Sequence, residues 1–408
     1  MKRFFACALV LCLLPFSALS EGWLGQLFGG FTQSAPSLRF VSVSDRAFEA
    51  QGARVIGASG DKSKILIASA YELYLWDAAN KQRLPIAFTE EEDIAQFNFL
   101  VETAYVFTLL KGKTTQEAAH ESFLARLDAY LKSRGRERLT SFDEVSECFP
   151  MLLSLGASAR CIGSRYAIVD AVQLPAVLLI DMETGACALQ GDQKALLRGD
   201  TLYHDGELTD LVTGENRRPE YALINGEASH RPTQRDAKLL GDDSLLVLSP
   251  ANAINKEDNT RQSALYCYST DASQAKLIAL GAFSLSKEPS RLLVTGDGRY
   301  AAACPQRLSD SDSAMLIDLE SGEVRPFGAD APFPVSATRD AFICYDYKNA
   351  SALLLLDPQT LETSRLNVSG YRPGALNLNI VSDLTSNGEG LYFSQREALH
   401  GFFELIDK

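Results

Sequence analysis

The sequence is poor in the residues that active sites most often use. Four histidines (His120, His204, His230 and His400), two tryptophans (Trp23 and Trp76) and four methionines occur in 408 residues. The histidines are scattered, and no two share the spacing that puts a metal-ligand pair on one helix face. No Gly-x-Ser-x-Gly elbow presents a serine nucleophile, and no cysteine pair has the C-x-x-C form of a zinc or redox site. The expected set of catalytic, cofactor-binding and metal-binding residues is therefore empty. Positive charge is also scarce. Lys and Arg number 39 against 52 Asp and Glu, a formal charge of −13. That field repels phosphate backbones and anionic lipid, so nucleic acid is not expected as a partner.

Long apolar runs are absent too, except near the start. Lys2 and Arg3 precede an uncharged apolar run from Phe4 to Leu14, and Ala18-Leu19-Ser20 sets small residues at the −3 and −1 positions of a cleavage site. The run is shorter than the roughly 20 apolar residues that span a bilayer, and Leu11 before Cys12 argues against a lipoprotein site. Residues 1–20 are thus expected to be an export signal cleaved near Ser20. The remaining chain is expected to be extracellular, periplasmic or envelope-associated, with no transmembrane span. Residues 21–37, with Trp23, Leu24, Leu27, Phe28 and Phe31 among glycines, read as a linker.

Six cysteines lie beyond that point: Cys148, Cys161, Cys187, Cys267, Cys304 and Cys344. Cys267, Cys304 and Cys344 fall inside apolar strand candidates, where a thiol behaves as a small hydrophobe. Export permits disulfides, and Cys148 with Cys161 is the pair most suited to one.

What the sequence does contain is repetition. Short apolar runs recur, among them Ile65 to Ala68, Val177 to Ile180, Leu245 to Leu248, Met315 to Ile317 and Leu353 to Leu356. Each is three or four residues long and bounded by Gly, Asp, Asn or Pro, which favours strands. Unbroken apolarity means that both faces are buried. A parallel α/β sheet would need crossover helices, and from residue 290 onward the connections are too short and too broken by Gly and Pro to supply them. Antiparallel blades packed face to face satisfy the same pattern. Aligned on the residues at the end of each run, Asp181 to Gly185, Asp210 to Gly214 and Asp318 to Gly322 share the form D-x-x-[ST]-G, with Asp77 to Lys81 and Asp357 to Leu361 as looser copies. A second turn signal lies upstream at Gly60-Asp61, Gly241-Asp242-Asp243, Gly296-Asp297-Gly298 and Ser386-Asn387-Gly388. The unit is four strands over roughly 30 to 50 residues.

Gly296-Asp297-Gly298-Arg299-Tyr300 followed by Met315 to Gly322 resembles a repeat of the TolB-like or YVTN-type β-propellers, and Trp76-Asp77 resembles the closing dipeptide of a WD repeat. The likeness covers most of residues 58–408, most weakly at 191–237. It implies a fold and not an activity, since propellers host hydrolases, lyases, sensors and scaffolds. The expected architecture is all-β, a propeller of about seven blades. Leu38 to Val43 alternates like a strand and is expected to complete the last blade, removing an open edge. Residues 38–89 hold that strand and the first blade, and 151–408 the remaining blades.

Residues 90–150 break the β pattern and are expected to be a helical insertion. Thr115 can cap a helix whose apolar face is Phe123, Leu124, Leu127, Tyr130 and Leu131. Ser141 with Glu144 has the capping-box form. Ile94 to Leu110 suits a further helix, although Phe97-Asn98-Phe99 also suits a strand.

The recurrent aspartates are expected to build turns, because an Asp at the first turn position accepts N–H groups two residues on while glycine takes a positive φ. Ser309 to Ser313 offers alternating oxygens but lacks the glycine and distal glutamate of an EF-hand loop, and reads as a solvated loop. Tight turns and Asp-turns belong on one face of a propeller. The loops between second and third strands and the connections between blades belong on the other, together with the insertion and the loops 251–263 and 306–313. Elaborated loops tend to carry function. The functional expectation is a non-catalytic binding or scaffold protein whose protein or glycan partner meets the insertion-bearing face. The alternative is a hydrolase or lyase acting on a glycan or peptide at the mouth of the central channel.

Overall fold

A computed structural model describes residues 36–406 apart from 44–51, 70–71, 113, 151, 153–156, 172–173, 175, 191–194, 205, 220–235, 251–253, 270–274, 329–330, 347–351, 372–383 and 396–398. The expected signal segment, most of the expected linker and His230 lie outside the described residues. Among the described residues, seven sheets succeed one another along the chain. Sheet one is the meander Arg54–Ala58, Lys64–Ala68, Leu73–Asp77 and Gln82–Pro85, in that spatial order. Sheets three to six repeat it, beginning at Leu196–Arg198, Asp236–Leu239, Arg291–Val294 and Phe333–Ala337. In the middle strands Leu73–Asp77 and Tyr300–Cys304 every residue is buried. Apolar side chains alternate to opposite faces, so each face is covered by a neighbouring sheet. The chain is an all-β propeller.

Sheet two runs outward from Ser158–Ile162 and gains Ala87–Phe88 as a parallel edge on its outer strand Ala186–Gln190. These two residues were expected in the first blade. The N–H of Ala87 instead donates to the Gly185 carbonyl at 3.0 Å, which carries the chain across to the next sheet.

Sheet seven joins the two ends of the propeller. Its strands Leu384–Ser386, Leu391–Ser394 and Gly401–Ile406 are continued by Ser37–Ser42, which pairs antiparallel with Gly401–Ile406 over six positions. Asn367–Ser369 then adds a parallel fifth strand on the far side of Ser37–Ser42, which the sequence pattern did not indicate. Phe40, Tyr371 and Phe403 form a ring cluster with centroids 5.0 to 5.8 Å apart, and Arg39 pairs with Glu404. Close approach here requires glycine. A Cβ on Gly401 would stand 2.2 Å from the Val41 carbonyl oxygen, and one on Gly370 2.8 Å from that of Phe40.

The aspartate turns have the expected geometry. Asp181, Asp210, Asp318 and Asp357 each accept the N–H two residues on, at 2.7 to 3.0 Å. Asp77 accepts the N–H groups of Ala79 and Asn80. The fifth residue of each turn has positive φ, from 53° at Lys81 to 80° at Gly185. Upstream, Thr295 and Asp297 close the preceding tight turn: the Thr295 hydroxyl donates to Asp297 at 2.6 Å and accepts the Tyr300 N–H.

Helices α1 (Glu91–Lys111), α2 (Gln116–Arg134) and α3 (Phe142–Cys148) lie between sheets one and two. The Thr115 cap and the Ser141–Glu144 capping box both form. Phe97-Asn98-Phe99 is helical, and Asn98 braces the segment before α3 by exchanging hydrogen bonds with the backbone of Leu139. On α2, Phe123 is buried and Leu127, Tyr130 and Leu131 pack behind it, whereas Leu124 is exposed because it lies about 100° round the helix from Phe123. Phe97 meets Phe88 and Phe142 at 4.5 and 5.2 Å, and one apolar core runs from the helices into Trp76, Met182 and Cys187.

Cys148 and Cys161 are both free thiols, so the expected bridge does not form. Cys148 is buried in α3, where apolar surroundings push its thiol up to about 11. The strand that contains Cys267 starts at Thr260, which shortens the loop expected over 251–263. Ser309 to Ser313 lies in a 3₁₀ turn spanning Leu308–Ser313, with Asp312 paired to Lys287 at 2.9 Å.

Stability should respond at two of these positions. Gly401→Ala forces a Cβ against the backbone of the closing strand and is expected to cost about 3 kcal/mol, read as a lower urea midpoint. The Asn80 backbone N–H, the Asn80 side chain and Lys64 hold the Asp77 carboxyl down to about 2. A depressed carboxylate contributes stability above its unfolded value and loses it as pH falls through the folded one. The gap in thermal midpoint between wild type and Asp77→Asn should be full at pH 6 and shrink from about pH 4 toward pH 2.

Candidate functional site

The inner strands contrast with the rest of the molecule. The inner strands of sheets two to seven touch in a closed round, with Leu384–Ser386 directly against Ser158–Ile162. Arg54–Ala58 of sheet one sits behind that contact, touching Ser158–Ile162 and the second and third strands of sheet seven. These seven strands carry Arg54, Arg160, Arg198, Lys238 and Arg291 against one acid, Asp236, in a chain of formal charge −13.

Each inner strand runs toward a tight turn, so its first residues lie at the loop side. There the long side chains tie one sheet to the next. Arg54 Nη2 donates to the Ala157 carbonyl at 2.9 Å, from sheet one to the entry of sheet two. Arg291 Nη2 donates to the Pro334 carbonyl at 2.6 Å, from sheet five to sheet six, with its guanidinium 5.5 Å from the Phe333 ring. Asp236 makes the same kind of link with the opposite polarity, accepting the Leu292 N–H at 2.7 Å from sheet five. Arg160 instead folds back to Asp170 within its own sheet.

Lys238 is held more loosely. Its ammonium is 3.7 Å from Asp236, and 37% of its side chain stays accessible. Asp236 raises its pKa, burial opposes that, Cys161 of sheet two adds to it and Arg291 of sheet five opposes it. Side chains from three sheets therefore share one electrostatic environment around this lysine. Arg198 lies at the other end, beside the Gly241 turn. These basic positions were not singled out in the sequence, where each is one cation in an acidic chain; assigning the innermost strand of each unit was the signal that would have grouped them.

The histidines do not converge among the described residues. His120 pairs with Glu102 at 2.8 Å on the insertion, and His204 ends a hairpin strand opposite Glu207. The His400 carbonyl accepts the Val43 N–H. No group of three His, Cys, Asp or Glu able to hold a metal occurs among the described residues.

On the tight-turn face a cleft of about 460 Å³ opens between sheets five and six, lined by Asp297, Arg299, Asp340, Asp357 and Glu362. Asp297 and Asp357 already accept N–H groups of their own turns, so these carboxylates shape the backbone. The three helices follow Ala87–Phe88, the parallel edge of sheet two, and lead into the inner strand of that sheet. They lie against outer parts of the sheets, α1 on Ala186–Gln190 and α3 on Leu73–Asp77.

If Arg291 clamps two sheets, Arg291→Met should lower unfolding free energy by about 1.5–3 kcal/mol, while Arg299→Met on the opposite face should change it by less than about 0.5 kcal/mol. Urea unfolding of the two variants gives the comparison.

No family model and no curated protein matches the chain. Among solved structures it is similar to regucalcin, a calcium-binding protein from Agrobacterium tumefaciens, at 12% identity over 61% of this chain and 91% of that one, with a TM-score of 0.35. The β-propeller domain of Cps50 (Swd1) from Myceliophteria thermophila matches at 12% over 61% and 87%, with a TM-score of 0.33. An oligogalacturonate lyase in complex with manganese matches at 11% over 75% and 77%, also at 0.33. No helix among the described residues is long and apolar enough to cross a membrane. The neighbours are β-propeller proteins, and at these identities the likeness concerns the fold alone.

Proposed function

We propose that this chain is an exported, non-catalytic binding or scaffold protein, a propeller of about seven blades with a helical insertion after the first. Its loop-side axial mouth would receive an acidic group of a protein or glycan partner. The observation that carries the reading is Lys238. It is a half-buried cation among inner strands rich in Arg and Lys, 3.7 Å from its carboxylate. A partner's carboxylate can improve on that contact without breaking the arginine links between sheets, and charge-assisted pairs are the stronger hydrogen bonds. A hydrolase or lyase would need a carboxylate free to exchange a proton. At this mouth Asp170 is engaged by Arg160, and Asp236 by Leu292 N–H and Lys238.

Calorimetric titration of the purified chain with poly-glutamate and with polygalacturonate at low salt tests the reading. Binding of one of them, weakened about tenfold or more by Lys238→Met and by salt, is expected. Equal affinity of wild type and Lys238→Met, or turnover of either polymer, would overturn it.

A further inference from the structure

Helix α1 is apolar on two sides and covered on one. Ile94, Phe97, Val101 and Tyr105 are buried against α2, α3 and the neighbouring strands. Phe99, Phe107 and Leu110 point away from that core and are 65%, 59% and 40% exposed. With Thr103 between them they fall at steps of four, four and three residues, which is a single stripe along a helix. The Thr103 hydroxyl donates to the Phe99 carbonyl at 2.9 Å, so it has a partner within its own helix and can be covered at little cost. A contiguous aromatic stripe facing water marks an interaction surface.

We propose that this stripe is the interface of a homodimer, with α1 packed antiparallel on α1 of a second copy about a two-fold axis through Thr103. The pattern is self-complementary, as a two-fold contact requires. Phe99 and Phe107 lie four residues either side of Thr103, so each Phe99 meets the Phe107 of the other copy, and the two small threonines sit at the crossing. The charges agree with this. The first turn of α1 carries Glu91, Glu92 and Asp93, and the last turn carries Lys111. Antiparallel packing sets the acidic end of each helix beside the basic end of the other and opposes the two helix dipoles. Glu92 lies seven residues before Phe99 and hence on the same stripe. In the monomer Lys111 stands 4.6 Å over the Phe107 ring, which leaves it at the edge of the stripe, ready to meet Glu92 of the second copy. A parallel pairing would place like charges together and lose the Phe99–Phe107 match.

The contact is modest in size. A 21-residue helix is about 30 Å long, and one face of it covers about half of the ~800 Å² per partner of a standard interface. Contacts of this size belong to weak, transient pairs, and the expected dissociation constant is in the micromolar range.

Sedimentation of the purified chain over about 1–200 µM, a range bracketing a micromolar constant, is the test. Wild type should pass from monomer to dimer, and Phe107→Glu should stay monomeric with an unchanged thermal midpoint because that side chain is exposed. Glu92→Lys and Lys111→Glu should each weaken the dimer about tenfold. An equimolar mixture of those two variants should restore it, because every cross-pair is then opposite in sign. A wild type that stays monomeric throughout, a dimer that survives Phe107→Glu, or a mixture that associates no better than its components would each overturn the proposal.

Discussion

The fold depends on one piece of long-range pairing. Ser37–Ser42 comes from the beginning of the described chain and Gly401–Ile406 from its end, yet they form adjacent strands of one sheet. Sheets one and three to six are assembled from strands close in sequence, and sheet two departs from this only in its edge Ala87–Phe88. Closure instead brings together residues more than 350 positions apart, with the large entropy cost of ordering the chain between them. Six ladder positions, the Phe40–Tyr371–Phe403 cluster and the Glu404 ion pairs offset that cost. Without them the ring would have an exposed strand edge at sheet seven. Gly370 and Gly401 matter for the same reason, since the backbone of the closing strand lies too near for any Cβ.

Around that closure the molecule divides its charged groups by position. Aspartates on the tight-turn face hold backbone N–H groups of their own hairpins, and several are depressed below the ordinary carboxylate range by those hydrogen bonds. Arginines at the loop side do the reverse and donate to carbonyls of the next sheet. Each satisfies backbone groups that would be costly to bury unpaired. Among the described residues, Lys238 makes no such link to a carbonyl and has a 3.7 Å contact with Asp236.

The three helices add a second surface with different chemistry. Their inner side is an aromatic core continuous with sheets one and two. Their outer side presents aromatic groups on α1 and charged groups on α2. Binding at the axis and self-association through α1 would therefore use separate surfaces and need not compete.

Short-range features were legible in the sequence. The D-x-x-[ST]-G turns, the Thr115 cap, the Ser141–Glu144 box and the strand character of the short apolar runs all depend on residues within about five positions of one another. Closure by Leu38 to Val43 was legible because an unpaired final strand demands a partner. Features that depend on register between distant segments were not. The parallel strand Asn367–Ser369, the transfer of Ala87–Phe88 to sheet two, the free thiols of Cys148 and Cys161 and the exposure of Leu124 each turn on which neighbour arrives at a given edge. The grouping of Asp236, Lys238 and Arg291 belongs to the same class. Sequence determines that Arg291 opens an apolar strand and that Lys238 follows Asp236 by two residues, but only the contact between sheets four and five brings them together.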